Sequence, residues 1–199
     1  MFFNDEIVVA TEKVHGTNSV VGLIHENNER ILMIGSRKNR RKIGQGSIYE
    51  LPIKIYDGLP MMLNSIMDTD SSIESVICYG ELYGWVQDLR YGHSTGEISY
   101  ISFDISVNGR YIDHFAFSYW ANEFAIPMAP IVYDAGPYCY DQLLKLSSGK
   151  TRLMESDPHI MEGIVVKPLI ERTDPKLGRV ILKLISDEYL TRKKGTEYH

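Results

Sequence analysis

Cysteine is nearly absent: Cys78 and Cys139 are the only two. That is too few for a disulfide framework or a cysteine-built zinc site, and it suits a reducing cytoplasm. Long apolar runs are missing as well. A stretch such as Ile7-Val8-Val9-Ala10 falls far short of the ~18 residues a membrane span needs. The opening Met1-Phe2-Phe3-Asn4-Asp5-Glu6 carries no basic region and no long apolar region, so no signal peptide is expected. An excess of positive charge is lacking too. With 21 basic and 26 acidic side chains the net charge is −5, which excludes a protein that grips nucleic acid by bulk charge. There is no internal repeat, no low-complexity segment and no Pro/Gly/Ser linker. A length of 199 residues then predicts one domain spanning 1–199, since domains commonly run to ~100–200 residues. Apolar residues at 44% and charged residues at 24% lie close to globular averages, so long disorder and collagen are ruled out.

What is present reads as strands with a few helices. Ile7 to Thr11 is β-branched and apolar. Ser19 to Ile24 and Arg30 to Ile34 flank His25-Glu26-Asn27-Asn28, a hairpin pattern. Between Tyr49 and Met67, the residues Leu51, Ile55, Leu59, Met62 and Ile66 recur at near-helical spacing, with Pro52 and Pro60 limiting the helix to parts. Ser75 to Tyr79 and Ile98 to Val107 are expected strands, the latter followed by an Asn108-Gly109 hairpin turn. Phe115 to Phe124 and Tyr140 to Leu146 are expected helices. Gly163 to Lys167 and Arg179 to Ile185 are expected strands, and Ser186 to Lys194 leaves room for one short helix. Irregular alternation with many strands predicts an α+β fold with antiparallel sheets.

Polar motifs sit at the ends of these strands. Lys13 follows an apolar strand and precedes Val14-His15-Gly16-Thr17-Asn18; alone it reads as an ordinary exposed lysine. Glu81 stands between glycines in Gly80-Glu81-Leu82-Tyr83-Gly84. Phe103-Asp104-Ile105 sets an aromatic beside an acid; in isolation Phe103 reads as core and Asp104 as a strand-end acid. Glu162-Gly163-Ile164-Val165-Val166-Lys167 puts charges at both ends of a strand. Positions five apart face opposite ways on a strand, so both ends meet one cleft only if Gly163 bends the chain. Lys183 interrupts Val180-Ile181-Leu182 and Leu184-Ile185, where a lysine must pair with an anion or reach solvent.

The order and spacing of these motifs resemble the covalent nucleotidyltransferase superfamily of ATP-dependent ligases and capping enzymes, from about Ile7 to Lys194. Lys13-Val14-His15-Gly16 resembles its RNA ligase branch; DNA ligases usually carry Tyr-Asp-Gly after the lysine. The resemblance implies a ligase/capping-enzyme nucleotidyltransferase (ATP-grasp-like) domain whose antiparallel sheets form an ATP cleft. It implies joining of RNA 5′-phosphate and 3′-hydroxyl ends, or the sealing of a nicked duplex, through a lysyl-AMP intermediate. By resemblance Lys13 is the nucleophile, with His15, Lys167 and Lys183 catalytic. Glu12, Asn18, Arg37, Glu81, Phe103 and Asp104 then bind ATP. Phe103 stacks on adenine, Glu81 takes the ribose hydroxyls, and Arg37 lies near ribose and phosphate. Glu162 holds the hydration shell of Mg2+. Many relatives have Lys-x-Lys in the final motif, whereas this chain has Lys183 alone. Two alternatives stay open: a DNA ligase or other polynucleotide adenylyltransferase, and a non-catalytic nucleotide or RNA-end binding module.

The remaining signals are weaker. Arg37-Lys38-Asn39-Arg40-Arg41-Lys42 is a candidate nucleic-acid patch, while Arg192-Lys193-Lys194 reads as a solvated run. Ile43-Gly44-Gln45-Gly46-Ser47 is half of a kinase glycine loop, but His-Arg-Asp and Asp-Phe-Gly elements and a P-loop are missing, so it reads as a flexible loop. His25, His93, His114, His159 and His199 show no metal-ligand spacing and read as surface residues. One basic run in an acidic chain predicts weak, salt-dependent RNA binding, aided by a further partner protein or domain.

Overall fold

A computed structural model describes residues 2–193 and 195. In chain order the strands are β1 (Ile7–Glu12), β2 (Gly16–Glu26), β3 (Glu29–Gly35), β4 (Arg40–Arg41), β5 (Ser75–Gly84) and β6 (Ile98–Val107). They continue with β7 (Arg110–Tyr111), β8 (Ile131–Pro137), β9 (Gly163–Pro168), β10 (Thr173–Asp174), β11 (Gly178–Arg179) and β12 (Leu182–Ile185). The helices are α1 (Leu51–Ile55), α2 (Gly58–Met67), α3 (His114–Glu123), α4 (Tyr140–Leu146) and α5 (Asp187–Leu190). The mixture is α+β. Among the described residues, no helix is long and apolar enough to cross a membrane.

The chain divides into two compact units. One comprises 1–16, 84–97 and 129–199; the other comprises 17–83 and 98–128. The first is built on a sheet of order β12-β9-β1-β8, with β1 antiparallel to both β8 and β9. Strand alternation sends Val8 and Ala10 of β1, Ile164 and Val166 of β9 and Leu184 of β12 to one face. There they pack with Val132, Met161 and Leu143 of α4. Between β11 and β12 the expected single strand Arg179–Ile185 breaks at Val180 and Ile181: Val180 bonds back to the Arg172 carbonyl instead of continuing the ladder.

The second unit is built on a sheet of order β4-β3-β2-β5-β6-β7. Asn27 and Asn28 both take positive φ, 53° and 65°, as do Asn108 and Gly109, 48° and 77°. These are the backbone angles a tight hairpin between twisted strands demands. Strand β5 runs on to Gly84, beyond the expected end at Tyr79, and alternates buried and half-buried residues throughout. Leu59, Met62, Leu63, Ile66 and Met67 give α2 its buried face. Ile55 does not join them; α1 ends there and the side chain is exposed. The Gly44–Gly46 loop is pinned rather than flexible, because the amides of Gln45 and Gly46 donate to the buried Glu50 carboxylate at 2.9 and 3.0 Å.

One glycine decides how β9 begins. Gly163 has φ +154°, and a β-carbon there would stand 2.1 Å from the Leu184 carbonyl oxygen of β12. The neighbour is backbone held in the β9–β12 ladder, so it cannot give way. Gly163→Ala is expected to lower stability by about 2–3 kcal/mol, the range for overpacking and an unsuitable backbone angle. Urea unfolding measures it, and a loss below about 0.5 kcal/mol, within ordinary surface effects, would contradict this reading of the strand start.

Candidate active site

The site in the first unit starts from the alternation of β1. Val8, Ala10 and Glu12 face the core side, so Val9, Thr11 and the following Lys13 fall on the opposite face. Lys13 extends the pairing, its amide donating to the Gly163 carbonyl at 2.8 Å. In the register, Val9 lies opposite Lys167 and Thr11 opposite Val165. Lys183 of β12 lies opposite Val165 on the other side. Lys13, Lys167 and Lys183 therefore share one face of one sheet. Lys167 is only 4% exposed, whereas Lys183 reaches solvent.

The turn at Gly163 brings the preceding Glu162 to the same end of β1. Its Oε1 accepts from Lys13 Nζ, and its Oε2 lies 3.4 Å from His15 Nδ1. Burial alone would raise the Glu162 pKa. The His15 contact and the Lys13 charge outweigh that and hold the carboxyl below the ordinary glutamate value. The bend at Gly163 thus resolves the five-residue spacing to Lys167. Glu12 goes the other way. It accepts from Thr151 Oγ1 at 2.5 Å and the Arg152 amide at 2.8 Å, and burial still raises its pKa.

His15 is the hub of a polar network. Its amide donates to the Tyr91 hydroxyl at 2.7 Å. Its Nε2 lies 2.8 Å from Asp88 Oδ1, and its Nδ1 lies 2.8 Å from the Tyr189 hydroxyl. Arg192 holds Asp88 with contacts of 2.8 and 3.2 Å. Asp88, Tyr91, Tyr189 and Arg192 escaped the sequence reading. Arg192 is no part of a solvated run: its side chain is 11% exposed. Lys194 and His199 lie outside the described residues. His114 is buried and His159 half-buried, against the expectation of surface histidines; burial lowers the His159 pKa.

The other predicted residues lie in the second unit. Alternation places Glu81 of β5 opposite in facing to Cys78 and Leu82. Phe103 of β6 is half-buried in mid-strand, and Asp104 is buried. The isolated readings of both are thus reversed, because each is a neighbour inside a long strand and the faces alternate. Asn18 Nδ2 donates to the Gly80 carbonyl at 3.5 Å. Its buried Oδ1 has no hydrogen-bond partner among the described residues. Arg37 is exposed in the bend after β3. No group of three or more His, Cys, Asp or Glu that could hold a metal occurs among the described residues.

The profile of the RNA ligase family matches residues 6–185. The chain belongs to the RNA ligase family. Its fold is that of nucleotidyltransferase-type ligases. A Naegleria gruberi RNA ligase mutant with ATP and Mn superposes with TM-score 0.72 at 15% identity, over 94% of this chain and 51% of that one. The Naegleria gruberi enzyme with PPi gives 0.71 at 16%, over 94% and 51%. A mutant of it with AMP and Mn gives 0.71 at 16%, over 94% and 52%. This RNA ligase-family chain spans about half the length of those structures. No curated protein matches it significantly in sequence.

The depressed Glu162 pKa sets an acid limb of stability. The unfolded chain binds the proton more readily, so the contribution is present above the ordinary value of about 4.3 and is lost as pH falls through the lower folded value. Glu162→Gln should flatten the fall in unfolding free energy between about pH 5 and about pH 3. Denaturant titrations across that window measure it; an acid limb as steep as in the wild type would show that the pair with Lys13 and His15 does not form.

Proposed function

We propose that the chain is an ATP-dependent RNA ligase acting through a lysyl-AMP intermediate on Lys13, joining RNA 5′-phosphate and 3′-hydroxyl ends. The observation that carries the reading is the Lys13–Glu162 pair at the end of β1, in a sheet whose same face also bears Lys167 of β9 and Lys183 of β12. Family membership supports it, as do the ATP, AMP and PPi held by the structurally similar Naegleria gruberi enzyme.

An ammonium cannot attack phosphorus, and a free lysine with a pKa near ~10.4 is mostly ammonium at neutral pH. Lys13 must therefore lose a proton, and neighbouring cations such as Lys167 and Lys183 on the same sheet face favour the neutral amine. Once neutral, the Lys13 nitrogen attacks the α-phosphorus of ATP. The N–P bond forms, the bond to the β-phosphate oxygen breaks, and pyrophosphate leaves with that electron pair. Lys167 and Lys183 supply positive charge for the phosphate oxygens in transit. AMP then passes to the RNA 5′-phosphate, and the 3′-hydroxyl displaces it. Phe103 is assigned to adenine stacking and Glu81 to the ribose hydroxyls; Asn18 brings an unsatisfied carbonyl oxygen for a ligand donor. Glu12 contributes its backbone, since its carboxylate is already taken by Thr151 and Arg152.

A divalent metal fits this donor set in one form. With no cluster of three ligating side chains among the described residues, the protein offers no cage. Magnesium needs none: it keeps several waters and takes one or two carboxylates plus substrate phosphates. Glu162 would hold it through that water shell, and the ion would supply charge neutralisation at the triphosphate.

Incubation with labelled ATP and magnesium, followed by a denaturing gel, should show a covalent AMP adduct, and mass spectrometry should place it on Lys13. Lys13→Ala should abolish the label; a fully labelled mutant would sink the assignment. Offering RNA and DNA nicks in parallel separates RNA ligase from DNA ligase. Glu162→Ala should slow adduct formation by about 100-fold or more, as when one electrostatic stabiliser is removed from a reaction centre. Near-normal labelling would remove Glu162 from the chemistry.

A further inference from the structure

The RNA ligase profile ends at residue 185, yet polar contacts of the site run past it. Ser186, the N-cap of α5, donates its amide to the Glu162 carbonyl at 2.9 Å. Its hydroxyl accepts from the Tyr189 amide at 3.1 Å. Tyr189 is 2% exposed, and its hydroxyl meets His15 Nδ1. Arg192 stacks 3.5 Å over the Tyr189 ring and donates to the Tyr189 carbonyl at 2.7 Å. Its remaining donors close on both oxygens of Asp88. Asp88 belongs to the 85–97 segment, which is strapped to the residues after β1. Gln87 Nε2 donates to the Gly16 carbonyl, and Tyr91 accepts from the His15 amide.

We propose that Asp88, clamped by Arg192, is a positioning residue that orients the His15 ring and, through it, sets the Glu162 carboxylate against Lys13. A carboxylate only accepts hydrogen bonds. Asp88 therefore accepts from Nε2–H of the His15 ring, and this fixes the plane of the ring and the direction in which Nδ1 points. Nδ1 then faces the Tyr189 hydroxyl at 2.8 Å and Glu162 Oε2 at 3.4 Å. Without Asp88 the ring can turn, and Glu162 loses the neighbour beside its second oxygen. Arg192 acts one step further out. Its two-pronged grip on a carboxylate is a geometry lysine cannot reproduce. The segment after the last strand is in this way part of the nucleotidyl-transfer machinery.

The inference rests on the lysyl-AMP reading, and the test separates the two. Adduct formation is followed at varied ATP in the wild type, Asp88→Asn, Arg192→Gln, Arg192→Lys and the Asp88→Asn/Arg192→Gln double variant. Removing an outer partner that orients a reacting group commonly costs about 10–100-fold. Asp88→Asn should slow the maximal rate by that much with KM for ATP held within about twofold, since Asp88 acts on the reacting pair rather than on ATP binding. Arg192→Lys should fall between wild type and Arg192→Gln. The double variant should be no slower than Asp88→Asn alone, because Arg192 acts through Asp88. Wild-type rates, a rise in KM alone, or effects that multiply would each overturn the proposal. Long-range proton–nitrogen NMR of the His15 ring gives a readout that needs no activity. Asp88→Asn should move the ring nitrogen signals of His15, and unchanged signals would overturn the clamp. A wild type that forms no adduct would overturn the ligase reading instead, with the NMR still deciding whether Asp88 sets the ring. Should Asp88→Asn fail to fold, the series Arg192→Lys and Arg192→Gln decides by the same criteria.

Discussion

An ammonium and a carboxylate are held together at the end of β1 where water is scarce. The Lys13 side chain is 23% exposed and the Glu162 side chain 9%. Burying either charge alone costs several kcal/mol, and attraction between the two repays this only when other hydrogen bonds complete the set. That requirement explains the company the pair keeps. His15 stands against the second oxygen of Glu162, Asp88 stands behind His15, and Arg192 neutralises Asp88. Lys13 is paired with Glu162 and Arg192 with Asp88, and the His15 ring stands between the two pairs.

The same strands serve stability and chemistry because their side chains alternate with a period of two. In β1, Val8 and Ala10 enter the core while the next residues face away toward the row of lysines. In β5, Val76, Cys78 and Leu82 are buried while Glu81 is not. Each sheet fixes its polar residues with the rigidity of its apolar ones. Burial even silences Cys78, whose thiol pKa is pushed up to about 12. A site raised on sheet faces is held more firmly than one raised on loops.

The 85–97 segment supplies what the strands cannot. It is irregular, and Tyr91 within it takes a φ of 51°, a conformation that costs a non-glycine residue about 1–3 kcal/mol. The ring packs edge-on against His159 at 4.5 Å, and its hydroxyl takes the His15 amide. Packing and a buried hydrogen bond offset the strain, and the segment is thereby fixed in the shape that presents Asp88.

Local order was legible in the sequence wherever the cause was local. Asparagine pairs and Asn-Gly marked the hairpins because few other residues tolerate positive φ in succession. Apolar spacing marked α2, the irregular alternation of strands and helices marked the α+β class, and the motif order carried the family. The bend at Gly163 was legible as a condition, since Glu162 and Lys167 could meet one cleft only through it. Readings failed where a neighbour distant in sequence decides. Phe103 and Asp104 exchanged their expected burial because the sheet beside them sets which face is covered. Arg192 looked like one of three solvated cations until Asp88, 104 residues away, claimed it. By itself the sequence determined most of the strands, the hairpin turns and the chemical groups available, since these follow from backbone preference and side-chain type; β8 (Ile131–Pro137) escaped it. Only the tertiary structure decided that Lys13 meets Glu162 across 149 residues and that Asp88 and Arg192 close the network, because pairing of charges depends on distance in space, which no local pattern encodes.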